Sequence, residues 1–154
     1  MHVAGPYTTA PADVDRWVAA RVQRQQRLTG PRPLRLHAVI SEAALRLEAG
    51  GPAVMSAQLV RLLEAAESDN VTIQVLPPTA GAHPALASNF TVLHFATPEL
   101  DPPLGYFDGP LGGYMIDDQG DVAMLINMFA DLRAAVLTEA DSAKVCSDIL
   151  EAYR

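Results

Sequence analysis

"LRLHAVISEAALRLEAGGPAVMSAQLVRLLEAAESDNVTIQVLP", residues 34–77, holds two strand patterns with two helical patterns between them. Leu34, Leu36, Ala38 and Ile40 alternate with Arg35, His37 and Val39, which predicts a strand with one face in a core. Ser41 is placed to cap a short helix over "EAALRL". "EAGGP" breaks that helix. A longer one follows from about Ala53 to Ser68, with Val54, Leu59, Leu62, Leu63 and Ala66 as its buried stripe. Val71 to Pro77 is short and β-branched, hence a second strand. Two strands joined through a helical crossover are expected to run parallel.

Outward from this segment, residues 1–10 read as a leader. Pro11 to Leu28 reads as a helix, because Pro11 suits a first-turn position and Gly30, Pro31 and Pro33 stop the chain behind it. Val14, Trp17, Val18 and Val22 form one apolar stripe on that helix. Asp13 and Asp15 near its start and Arg24 and Arg27 near its end complement the helix dipole. Beyond the second strand, a loop over residues 78–88 carries Gly81-Ala82-His83-Pro84. Phe90 to Phe95, "GYFDG" and "GGYMID" read as further short strands. Val122, Leu125, Ile126, Phe129, Leu132 and Val136 then mark a helix. Thr138 with Asp141 resembles a capping box ahead of a last helix buried through Cys146, Ile149, Leu150 and Tyr153. The expected fold is α/β (α+β): one domain over residues 11–154, with a small mixed sheet of about five strands packed with helices, two of them C-terminal.

The composition is that of a folded chain: 49% apolar and 19% charged among 154 residues. No apolar run reaches the roughly 18 residues of a membrane span. The start of the chain lacks a basic segment followed by an apolar one, so a cytoplasmic location is expected. A single cysteine excludes an internal disulfide. The net charge of −7 is uneven. The first 35 residues hold six arginines (Arg16, Arg21, Arg24, Arg27, Arg32 and Arg35) against Asp13 and Asp15, a net +4, which leaves −11 for the rest. Duplex DNA is bound largely through phosphate neutralisation, so direct DNA binding is not expected.

No phosphate loop, nucleophile elbow or zincin motif is present, and four scattered histidines with one cysteine make no metal set. No cofactor and no metal is expected. The polar groups with chemical potential are His37 in the first strand, His94, Tyr106, Asp108 and Tyr114 in the later strands, and His83 on its loop. Alternation puts Phe90, Val92 and His94 on one strand face and Tyr106 with Asp108 on another. If these strands are neighbours, the groups converge on an apolar pocket with polar handles, the usual make-up of a small-molecule site. An imidazole beside a carboxylate would be an acid–base pair, with His94 and Asp108 the first candidates and His37 and His83 behind them.

The segments "VAARVQRQQRLTG", "LRLHAVISEAALR", "GGPAVMSAQLVRLLEAAESDNVTIQVLP", "AGAHPALASNFTVLHF" and "GGYMIDD" together resemble one family. It is the C-terminal domain of unknown function that follows an Xre-type helix-turn-helix in many actinobacterial regulators, some of them antitoxin-like. The resemblance runs from about residue 14 to the end. Where the family often shows a Val-Tyr-x-Glu strand, this chain has Tyr106-Phe107-Asp108. The resemblance implies an effector-binding or protein-interaction domain of regulator origin, taking a small apolar metabolite or a partner protein. The alternative is a cofactor-independent cyclase or isomerase of specialised metabolism on the same fold. The apolar stripe of the first helix predicts a homodimer or a bound partner protein.

Overall fold

The computed structural model describes residues 11–83, 89–109 and 112–153. The expected leader and residues 84–88 of the His83 loop lie outside the described residues. The elements are α1 (Pro11–Gln25), β1 (Leu36–Ser41), α2 (Glu42–Arg46), α3 (Pro52–Ala66), β2 (Val71–Leu76), β3 (Phe90–Leu93), β4 (Leu104–Gly109), β5 (Gly112–Ile116), α4 (Gln119–Ala135) and α5 (Glu139–Glu151). This is the α+β class with two C-terminal helices. The five strands form two sheets, β1–β2 and β3–β4–β5, rather than the one sheet expected. The cause lies at the second edge of β2. There Leu137 N–H donates to Val75 O at 2.9 Å, and Val75 N–H donates to Ser142 Oγ at 2.9 Å. These bonds occupy groups that a third strand would need.

The chain divides into two compact units, one spanning Leu76–Val136 and the other formed by the rest. In the second of these, Leu36 N–H donates to Asn70 O at 2.8 Å, so β1 and β2 start side by side. Strands that start together and remain paired run parallel, as the helical crossover predicts. Leu45 of α2, Leu59 of α3, Val75 of β2 and Cys146, Ile149 and Leu150 of α5 make the core. Leu59 is wholly buried, so truncating it to alanine would cost about 2–5 kcal/mol.

Four details depart from the sequence reading. On α3 the buried face runs through Met55 and Leu59, while Val54 is 45% exposed. Val54 sits one residue, about 100° of helix, from Met55. It packs instead over the turn at Gly50 and Gly51, whose φ of +87° and +86° suit only glycine. Ser41 precedes α2, but its side chain makes no capping bond. Leu36 is exposed and β1 is half-buried on both faces from His37 to Ile40, as befits an edge strand. The Thr138 cap is present with altered wiring. Its Oγ1 accepts from Asp141 N–H at 3.1 Å and donates to Asp141 Oδ2 at 2.7 Å. The shorter acid meets the hydroxyl instead of reaching back to the backbone.

In the Leu76–Val136 unit, β3, β4 and β5 form an antiparallel meander. Phe90 lies opposite Phe107 and Val92 opposite Gly105; Gly105 in turn lies opposite Ile116 and Phe107 opposite Tyr114. Opposed residues share a face. A Cβ at Gly105 would stand 2.6 Å from Leu125 Cδ1, so α4 covers this face. Val122, Leu125 and Leu132 are its buried residues. Asp118 Oδ1 caps α4 by accepting from Gly120 and Asp121 N–H at 2.9 and 3.0 Å.

Candidate functional site

The register of the meander separates the residues expected to converge. Tyr106 lies opposite Thr91 and Met115, and Asp108 opposite Gly113. Their side chains therefore leave the sheet on the face away from α4. Phe90, Val92 and Phe107 occupy the α4 face, with the Phe90 and Phe107 rings 6.3 Å apart. His94 follows the last residue of β3 and is exposed. Alternation carried one step further sets it on the Phe90 side, opposite Asp108. The expected His94–Asp108 pair within one pocket is thus corrected: even-numbered residues of β3 oppose odd-numbered residues of β4, so the face of Phe90 and Val92, which alternation extends to His94, lies across the sheet from Tyr106 and Asp108. Tyr114 belongs to the Phe107 face by register and is 57% exposed.

Tyr106 has a structural duty. Its ring lies over Gly113, where a Cβ would collide with the ring and hydroxyl. The aromatic ring covers backbone that no side chain protects. His83 is half-buried, and its Nδ1 is shielded without a hydrogen-bond partner among the described residues.

His37 belongs to the other unit and is held there by a relay. Its Nε2 lies 2.7 Å from Gln74 Oε1, while Gln74 Nε2 donates to Leu137 O at 2.8 Å. Because the amide nitrogen of Gln74 serves Leu137, its oxygen can only accept, so Nε2 of His37 carries a proton. The relay ties β1 through β2 to the segment entering α5. Ser142, 1% exposed, closes the same segment onto Val75. Sequence reasoning passed over Ser142, because a serine inside a helical stripe carries no signal of the backbone donor it meets. Cys146 is buried, and burial pushes its thiol pKa up, which makes it a poor nucleophile.

The surface features that stand out are on α1 and the loop behind it. Trp17, Val18 and Val22 are 38%, 51% and 52% exposed, on one helix of 15 residues. No Asp or Glu occurs between Arg16 and Ser41. Among the described residues, Arg24, Arg27, Arg32 and Arg35 make no ion pair. The loop after α1 is clipped in place: Asn70 Nδ2 donates to Leu28 O at 3.1 Å and Leu34 O at 2.8 Å, and Leu34 N–H donates to Arg27 O at 2.8 Å. Gln26, Arg27, Gly30, Pro31 and Arg32 surround a shallow depression of about 480 Å³ there. Among the described residues no group of His, Cys, Asp and Glu is arranged to hold a metal ion, and no helix is long and apolar enough to cross a membrane.

A family model covers residues 2–148, nearly the whole chain. The chain belongs to the family Domain of unknown function (DUF5753). No curated protein and no solved structure matches. The DUF5753 match takes in α1, the arginine loop, both sheets and each candidate histidine of β1, the His83 loop and the β3 end.

Proposed function

We propose that this DUF5753 domain is a protein-interaction module of regulator origin, and that α1 is its docking surface. The observation that carries this reading is the exposure of Trp17, Val18 and Val22 along one helix. Single exposed apolar residues are ordinary, but a contiguous apolar stripe on a helix is what partner helices and grooves engage. The arginines behind the stripe give the surface a sign opposite to that of the remaining chain. Duplex DNA is not the partner named here, since a chain of net charge −7 lacks the overall basic footprint of a DNA-binding domain. Binding of a small apolar metabolite and the cyclase or isomerase alternative gain no support, because Tyr114 lies on the opposite face of the meander from Tyr106 and Asp108.

A photo-crosslinking residue at position 18, with a control at the exposed Arg61 on α3, tests the reading. One discrete adduct is expected from position 18, in purified concentrated protein or in extract of the producing cells. It should be absent from position 61 and lost on Val22→Glu. Absence of any adduct at position 18 under both conditions would overturn it.

A further inference from the structure

We propose that the arginine loop behind α1 is a docking site for an acidic peptide segment of a partner protein, with Arg27 and Arg32 as its carboxylate-binding pair. Both residues line the depression of about 480 Å³ whose other walls are Gln26, Gly30 and Pro31. All five are exposed, and a Cβ at Gly30 would meet nothing within 4 Å, so the depression stands open to a ligand. Arg24, also exposed, lies three residues before Arg27, across the start of a 3-10 turn over Gln26–Leu28. The site adjoins α1 but rests on residues other than Trp17, Val18 and Val22.

The loop is held in position before any partner arrives. Asn70 Nδ2 bridges its two ends at Leu28 O and Leu34 O, and Leu34 N–H closes it onto Arg27 O. Binding then has little left to order. The charge of the loop is uncompensated. No acidic residue lies between Arg16 and Ser41, and Arg24, Arg27 and Arg32 make no ion pair among the described residues. Asp69, next to the Asn70 clip, pairs with none of them. A guanidinium is a planar fork that matches a carboxylate, and arginine clusters are a recurrent means of reading acidic motifs. A shallow depression suits an extended chain laid across it better than a small ligand, which needs enclosure. One exposed ion pair stabilises little, so a lone anion gains little here, whereas a run of carboxylates meets two or three arginines at once. Single-stranded nucleic acid is held by basic grooves with aromatic side chains for base stacking, and residues 18–36 hold no Phe, Tyr or Trp.

The probe is a fluorescein-labelled hexaglutamate peptide, titrated with the full chain at low salt and followed by fluorescence anisotropy. The chain as a whole carries −7 and repels such a peptide, so binding reports the local cluster. A dissociation constant of about 10–100 μM is expected, weakening as salt is raised. Arg27→Ala combined with Arg32→Ala should weaken binding by at least about fivefold. Arg61→Ala combined with Arg133→Ala removes the same charge from exposed positions elsewhere, and should change binding by less than about twofold. Both double variants should keep the circular dichroism of the parent. A peptide that fails to bind at about 1 mM would overturn the proposal. So would equal weakening in the two double variants, or tighter binding of hexathymidylate, which would make nucleic acid the partner. The crosslink from position 18 reads the α1 stripe and not the loop. A crosslink without peptide binding refutes the arginine site alone, and peptide binding without a crosslink refutes the α1 reading alone.

Discussion

His37 Nε2 and Gln74 Oε1, 2.7 Å apart, join β1 to β2 through side chains, and the amide of Gln74 passes the connection on to Leu137 O. The histidine with the clearest partner in this protein thus does structural work. Replacing it with phenylalanine removes the donor and leaves a part-buried carbonyl oxygen unmet. His37→Phe should destabilise the chain by about 1–3 kcal/mol, read as a lower urea midpoint followed by circular dichroism.

Ser142 makes the same point more sharply. Its Oγ accepts the Val75 N–H in a region with almost no solvent contact. Ser142→Ala keeps the helix and the volume nearly unchanged but orphans that N–H. A loss of about 1–3 kcal/mol is expected, and Ser142→Thr, which keeps the hydroxyl, should recover part of it. Equal stability of Ser142→Ala and the parent would refute the role given to this bond.

Much of the fold could be read from local pattern. The five helices and five strands announce themselves through apolar spacing and through Pro, Gly and capping signals, and Thr138 was legible as a cap. What failed was the convergence of the site residues, which depends on the register of the later strands. Tyr106 and Asp108 share a face, as alternation says. Whether His94 joins them depends on Phe90 lying opposite Phe107 rather than Tyr106, and a shift of one residue reverses the answer. The exposure of Val54 escaped for a related reason, since a helical stripe of Leu and Val leaves its edge open by one position. The α1 stripe was legible as apolar, yet only the structure shows Val18 and Val22 about half exposed.

Cys146 predicts an alkaline limit to stability. Burial raises its folded pKa above the ordinary 9.0. Above about pH 9 the unfolded thiol ionises while the folded thiol keeps its proton. The folded state then binds more protons, so stability falls as pH rises through this window. Cys146→Ala should flatten that part of the stability–pH curve. Native protein should also react with a thiol reagent at least about a hundredfold more slowly than protein in urea. Rapid labelling of the native chain at pH 8 would contradict the packing described.

The contact between Tyr106 and Gly113 permits a test of the meander itself. A methyl group at position 113 would meet the Tyr106 ring, which lies over the glycine on the face away from α4. Gly113→Ala must therefore displace the ring or bend β5, at a cost of about 1–3 kcal/mol. Removing the ring should remove most of that penalty. In a double-mutant cycle, Gly113→Ala introduced into Tyr106→Ala should cost at least about 1 kcal/mol less than in the parent. Gly105→Ala, which presses on Leu125 from the opposite face, should be additive with Tyr106→Ala, because the two act on opposite sides of the sheet. Strong coupling of Tyr106 to Gly105 and none to Gly113 would mean that the β4–β5 register is displaced by one residue, and with it the assignment of Asp108 to the face away from α4.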